Sequence, residues 1–181
     1  EPDPGAEQRL DEREVRSYES EYVGGLFHLD FHQGSLRVLT PAGDWATPQL
    51  FGALDDRSRV ACHLQWYLAE NAQNLVHGLS QGIQKRGLFR ALMTDGGPAM
   101  TAHEVTEGLA RLGIAHKLTL PYSPYQNGKQ ENFWAQVEGR LLAMREGEKE
   151  LTLALLNEAT QAWVELEYNR ERHSEIGEAP L

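Results

Sequence analysis

The chain has 181 residues, a net charge of −10 and 40% hydrophobic side chains, enough for one domain with a real core and too apolar for disorder throughout. No apolar run is long enough to cross a bilayer, and the start lacks the basic-then-apolar pattern of a signal peptide. A single cysteine, Cys62, excludes an internal disulfide and a multi-cysteine zinc site and points to a reducing, cytoplasmic setting.

The charge is unevenly spread. Residues 1–22 hold eight acids against three basic residues, and residues 146–181 nine against three; residues 23–145 hold ten acids and eleven basic residues. The chain therefore opens on an acidic lead-in over 1–22, frayed or helical, ahead of a single domain over 23–181. The lack of an initiator Met reads as a fragment of a longer protein.

Leu26–His32 alternates apolar and polar side chains, which predicts a strand with Phe27, Leu29 and Phe31 inward and His28, Asp30 and His32 on the other face. Short strands follow over Ser35–Thr40 and Gln49–Leu54, on either side of a turn at Pro41–Asp44. Asp55–Ser58 is a second turn and Arg59–Trp66 a further strand. Ala69–Lys85 has helical spacing and stops near Gly87. Leu88–Thr94 is an apolar strand ending at Asp95-Gly96-Gly97-Pro98. Thr101–Leu112 reads as a helix with Thr101 as N-cap and Glu104 in the capping-box position, stopped by Gly113. A strand over Ile114–Leu120, a loop over Pro121–Gly128 and helices over 129–145 and Leu151–Tyr168 complete the chain. The order predicts an α/β domain with a mixed sheet.

The chemistry rests on three acids, Asp30, Asp95 and Glu131, at a strand centre, a strand end and a helix start. Phosphoryl transfer needs cations that activate a hydroxyl and stabilise charge on phosphorus, and hard divalent cations prefer carboxylate oxygens. Gly96 and Gly97 let the backbone beside Asp95 approach a ligand closely, and the loop before Glu131 leaves the third acid free to move.

Five segments carry a family resemblance. Phe27–His32 resembles the aromatic-x-x-Asp-x-Thr segment of retroviral-type integrase cores, Met93–Pro98 their Ser-Asp-Asn-Gly-Pro segment, and Pro121–Glu131 their Pro-Tyr-Ser-Pro-Gln-x-Asn-Gly-x-x-Glu segment. The 35 residues between Asp95 and Glu131 match the family spacing, and Leu54–Arg59 and Tyr168–His173 match further landmarks. The resemblance covers about residues 14–181. It implies a ribonuclease H-like mixed β-sheet flanked by helices and a DDE-type transposase or integrase catalytic core, as in bacterial insertion-sequence transposases. It also implies Mg²⁺ or Mn²⁺ on Asp30, Asp95 and Glu131, DNA strand nicking and joining at element ends and target, and assembly into a dimer or higher homo-oligomer.

The sequence departs from the family pattern at His32, where Thr is frequent, and at Gly96, where Asn is usual. Ala135 and Glu138 stand where relatives carry basic residues that contact the element's end; either end recognition differs here or this copy binds its ends poorly.

Other readings stay open. A His28-x-Asp30-x-His32 zinc site lacks a third histidine at motif spacing. Asp55 and Asp56 read as turn residues rather than metal ligands. Phe133, Trp134 and Trp163 read as core. Lys117, Asn127, Lys129 and Arg140 are the DNA-contact candidates, with simple exposure as their alternative, and Glu138 reads as a solvated helix face. A nuclease of the same fold that only hydrolyses, and a catalytically silent DNA-bridging module derived from a transposase, are the competing functions.

Overall fold

The amphipathic segments assemble around one five-stranded sheet. In the computed structural model, residues 20–119 and 128–181 are described; the lead-in over residues 1–19 and most of the loop before Glu131 lie outside them. The strands are β1 (Leu26–Gln33), β4 (Gln49–Asp55), β5 (Ala61–Tyr67), β6 (Ala91–Thr94) and β7 (Ala115–Leu118), in the order β5-β4-β1-β6-β7. β1 pairs antiparallel with β4 and parallel with β6, and β6 pairs parallel with β7. The sheet is mixed, as the element order predicts.

Alternation along β1 decides which side chains enter which layer. Phe27 and Leu29 are buried and Phe31 half-buried, in a cluster with Phe51, Leu92 and the helices α1 (Ala72–Arg86), α2 (Pro98–Thr101) and α3 (His103–Arg111). The opposite face packs Leu50, Leu54, Leu64 and Trp66 against α4 (Gly128–Gln136) and α5 (Leu153–Leu166) through Phe133, Trp134, Val137, Leu156 and Trp163. Helices therefore cover both faces, and Phe133, Trp134 and Trp163 belong to the core.

Glycine at two positions is a matter of space or backbone. A Cβ at Gly52 would run into the Trp134 ring, so the helix can lie flat on β4 only over a glycine. Gly87 ends α1 at φ 83°, a left-handed conformation that side chains disfavour.

Several expected boundaries move. The Ser35–Thr40 strand shrinks to β2 (Val38–Leu39), paired with an unforeseen β3 (Trp45–Ala46) in a separate ribbon. Ser35 and Arg37 are exposed while Val38 is buried, so only its centre has a core to face. The Leu88–Thr94 strand begins at Ala91, because Leu88 is 61% exposed and has no packing partner layer. Thr101 does not cap a helix. Pro98 starts α2 three residues earlier, the chain breaks at Ala102 (ψ 144°), and the Thr101 hydroxyl donates to Gly97 O at 3.1 Å. The helix expected over 129–145 starts at Gly128 but widens into a π-turn over Val137–Leu142 and ends as a 3₁₀ turn over Ala143–Arg145. Thr152 does cap α5, accepting from Leu155 N at 3.2 Å.

The landmark at Tyr168-Asn169 explains itself here. Asn169 is fully buried and holds β5 with two bonds, accepting from Ala61 N at 2.9 Å and donating to Ala61 O at 3.1 Å. Tyr168 donates its hydroxyl to Arg59 O at 3.1 Å. The pair clasps the edge strand that has no further strand beside it. Among the described residues, no helix is long and apolar enough to cross a membrane.

Candidate active site

Sheet register brings two of the three acids together. His28 on β1 pairs with Met93 on β6 in parallel register. Asp30 stands two residues beyond His28 on β1 and Asp95 directly follows Thr94, the last residue of β6, so the register carries them to neighbouring positions, close enough for the Asp95 charge to raise Asp30. Burial pushes the Asp30 carboxyl up to about 6; the hydrogen bond from the Trp134 indole opposes this, and the neighbouring Asp95 charge adds to it. Asp30 Oδ2 accepts from Trp134 Nε1 at 3.4 Å and Oδ1 from its own neighbour Phe31 N at 2.9 Å. Asp95 is exposed, and its Oδ1 accepts from Gly97 N at 2.9 Å, which fixes the carboxylate to the glycine turn.

The third acid arrives on α4. Glu131 lies in the first turn of that helix and is exposed. Trp134, nearly one turn further on, is the residue that reaches Asp30, so α4 runs directly beside the two aspartates. Among the described residues, no three His, Cys, Asp or Glu groups stand close enough to hold a metal ion together. Asp30 and Asp95 come close enough for their charges to interact; Glu131, exposed nearly one turn before Trp134 on the same helix, does not close the set.

Glu70 is a neighbour that sequence reasoning missed. It stands between β5 and α1, and its carboxyl is raised by burial and by Asp95; its charge also raises Asp30. A lone Glu in a connecting loop carries no signal in the sequence.

Both histidines of β1 are engaged away from Asp30. His28 Nε2 contacts Asp56 Oδ1 at 2.8 Å, and His32 Nε2 contacts Glu138 Oε1 at 2.8 Å. The His32 ring also stacks on Trp134, with centroids 5.1 Å apart and planes 15° from parallel. Glu138 further accepts from the Ser35 hydroxyl at 2.5 Å and from Ser35 N at 3.3 Å. Glu138 is thus no solvated face residue. Two of the four departures from the expected pattern, His32 and Glu138, meet each other, and His32 braces the indole that touches Asp30.

The turn acids divide in role. Asp55 accepts from Gly24 N, Ser58 N and the Ser58 hydroxyl, as expected of a turn residue. Asp56 is buried, and burial alone would raise its carboxyl; hydrogen bonds from His28, Lys129 and Ser20 N outweigh that and hold it well below the usual range.

The DNA-contact candidates are distributed as follows. Lys117 is on the edge strand β7 and exposed. Lys129 Nζ lies 2.6 Å from Asp56 Oδ1. Arg140 forms a two-pronged pair with Glu171, both contacts at 2.7 Å, and has Glu167 at 3.5 Å. Asn127 lies outside the described residues.

Comparison with known proteins bears on the whole arrangement. Residues 112–180 match the integrase core domain family. The chain is similar in structure to one from the simian T-cell lymphotropic virus intasome in complex with PP2A regulatory subunit B56 gamma. That match has a TM-score of 0.72 and 16% identity, covering 90% of this chain and 55% of the other. This chain therefore spans about half the length of that one. It is similar to the HTLV-2 integrase catalytic core domain in complex with magnesium, in a trimeric form (TM-score 0.69, 16% identity, 90% of this chain and 97% of that one). It is also similar to the catalytic core domain of BIV integrase (TM-score 0.61, 23% identity, 87% and 91%). No curated protein matches the chain. The fold is that of integrase catalytic cores, a ribonuclease H-like mixed sheet flanked by helices.

Proposed function

We propose that this chain, an integrase-type catalytic core by its fold and by the family match over residues 112–180, carries out divalent-metal-dependent DNA strand nicking and joining. The observation that carries the reading is the closeness of Asp30, on β1, to Asp95, just past the end of the parallel strand β6, with Asp30 raised to about 6 by burial and by its neighbour. Two like charges in partial burial are uncomfortable without a cation between them. The donors are carboxylate oxygens, which suit Mg²⁺ or Mn²⁺ and not zinc.

Asp30 and Asp95 would hold the cation, and Glu131 would complete its shell. When bound, such ions activate a hydroxyl nucleophile and stabilise the charge that builds on phosphorus. The chain's own part is orientation. Trp134 and the Phe31 amide aim the Asp30 carboxylate, and the Gly97 amide aims that of Asp95. Gly96 leaves open space beside Asp95, where a phosphate backbone could come close.

The substrates proposed are the ends of a mobile element and its target DNA, with at least two copies of the chain holding two ends in one assembly. The similar simian virus chain belongs to an intasome, which supports this arrangement by analogy of fold. Incubating the full-length protein with DNA bearing the element's ends in Mn²⁺ is the test. Joined strands that vanish in Asp30→Asn and Asp95→Asn support the reading; simple cuts without joining point to a nuclease. Joining that persists in both variants would remove the two aspartates from the mechanism. The exposed position of Glu131 favours, as the second reading, a silent DNA-bridging module, which would hold two DNA ends together and cut neither.

A further inference from the structure

The turn after β4 and the start of α4 lie more than seventy residues apart in the chain, and they meet at one buried carboxylate. Asp56 is 1% exposed. It accepts from Ser20 N at 2.6 Å, faces His28 Nε2 at 2.8 Å and takes Lys129 Nζ at 2.6 Å. Lys129 is two residues before Glu131, in the first turn of α4. The next residue, Gln130, is buried and donates from Nε2 to Gly52 O at 3.3 Å. Gly52 is the residue that pairs with Asp30 across β1 and β4. Two consecutive side chains therefore tie the start of α4 to β4, one at the register position of Asp30 and one just past the strand's end.

We propose that Asp56 and Lys129 form a latch that sets the position of Glu131 relative to Asp30 and Asp95, so that Lys129 is a positioning residue and not a phosphate contact. The inference rests on the reading of Glu131 as a catalytic acid. Helix first turns lack intrahelical acceptors for their amides and are held by what their side chains reach. Here the reach is inward, to a carboxylate that its donors keep charged. Turning Lys129 toward a DNA phosphate would leave that buried charge undercompensated. Glu131 itself is exposed, so its placement depends on the residues beside it, and Lys129 and Gln130 supply the anchors.

The full-length protein is compared with Lys129→Gln, Lys129→Arg, Asp56→Asn and Glu131→Gln. Thermal melting establishes folding, salt-dependent DNA titration gives affinity, and single-turnover cleavage in Mn²⁺ at saturating DNA gives the rate. A displaced catalytic group costs on the order of tenfold to a hundredfold in rate. Lys129→Gln should fold, keep its DNA affinity and salt slope, and lose rate by that margin, while Lys129→Arg recovers most of it. Asp56→Asn should follow Lys129→Gln; should it fail to fold, the two Lys129 variants still decide. Loss of DNA affinity with the salt slope reduced by about one and the saturated rate intact would make Lys129 a phosphate contact and overturn the latch. Unchanged rate and affinity in Lys129→Gln would overturn it as well. A Glu131→Gln variant as fast as the parent would instead show that the acid has no catalytic part, which fails the underlying reading rather than the contact between Asp56 and Lys129.

Discussion

Asp30 combines two demands that conflict in the metal-free protein. It is partly buried beside Asp95, and its carboxyl is pushed up to about 6. Replacing it by Asn removes the charge and keeps one acceptor oxygen, enough for Phe31 N at 2.9 Å, while the longer 3.4 Å bond from the Trp134 indole is given up. After discounting for solvent, the relief is on the order of 1 kcal/mol. Asp30→Asn should therefore melt a few degrees higher than the parent without metal and should lose the Mn²⁺-induced rise in melting temperature. A lower melting point in the metal-free variant would show that the carboxylate is not under strain. His63 provides a second residue-scale expectation. It is 4% exposed, tilted against Phe51 and packed on α1, and burial, then the Lys85 and His77 charges, push its pKa down to about 4. Its folded value is below its unfolded one, so its contribution to stability is present above about pH 6.5 and is lost as pH falls toward 4. Asp30, raised in the folded state, works in the opposite sense in nearly the same window. His63→Leu should flatten the acid limb of the melting curve between pH 6.5 and 4, whereas Asp30→Asn should steepen it. An acid limb unchanged by His63→Leu would mean that the ring has found a partner or is not held neutral.

At the level of elements, the chemistry depends on how α4 lies on the sheet. Its bed is Gly52, its core anchors are Phe133 and Trp134, Glu131 is exposed in its first turn, and the π-turn that continues it carries Glu138. Glu138 closes on His32 and Ser35 at the far end of β1, and Lys129 closes on Asp56 at the near end. The helix is therefore pinned at both ends of the strand that carries Asp30. On the same face, α5 is tied to β5 by Asn157, whose side chain bonds both Trp66 N and Trp66 O, and the turn after α5 by Asn169. Asn169→Ala would leave the Ala61 amide and carbonyl without these buried partners. Each stranded group costs on the order of 1–3 kcal/mol. Urea denaturation of Asn169→Ala should show a loss of several kcal/mol with an unchanged slope; a loss below about 1 kcal/mol would mean that water or another group replaces the side chain.

For the molecule as a whole, counting basic residues overstates what is available to DNA. Residues 23–145 hold eleven basic residues, but Lys129 is engaged with Asp56 and Arg140 with Glu171 and Glu167. Among the described DNA-contact candidates, Lys117 on the edge strand β7 is exposed, while Lys129 and Arg140 are half-buried. With a net charge of −10, the 181-residue chain should bind DNA weakly at physiological salt, in the range of nonspecific binding, Kd about 10⁻⁴–10⁻⁶ M. Photo-crosslinking of the chain to DNA at low salt should label Lys117 and its surroundings more strongly than Arg140. Crosslinks concentrated in residues 146–181 would contradict this charge map. The apolar helix positions offer little for a dimer face: Leu109 and Trp163 are buried and Leu155 is half-buried, leaving Leu112 at 49% exposure.

Local pattern was sufficient for what depends on neighbours in the chain. The period-two alternation of Leu26–His32 decided which residues of β1 face the core and left Asp30 on the other side, because strand side chains alternate whatever the sheet. Gly87 and Gly113 marked helix ends because a positive φ is needed there, 83° and 70°. The order of strands and helices was enough to expect an α/β domain with a mixed sheet. What tertiary structure alone decided is where charge meets charge over long separations. Glu138 has the sequence appearance of a solvated helix residue, yet it serves a histidine 106 residues away. Lys129 has the appearance of a loop cation facing DNA, yet it closes on Asp56, 73 residues away. Glu70 enters the field of Asp30 and Asp95 only because β5 and α1 return to that edge of the sheet. Hydrophobic periodicity is a local property of the chain; the partner of a polar side chain is settled by packing, which brings together residues that no spacing rule relates.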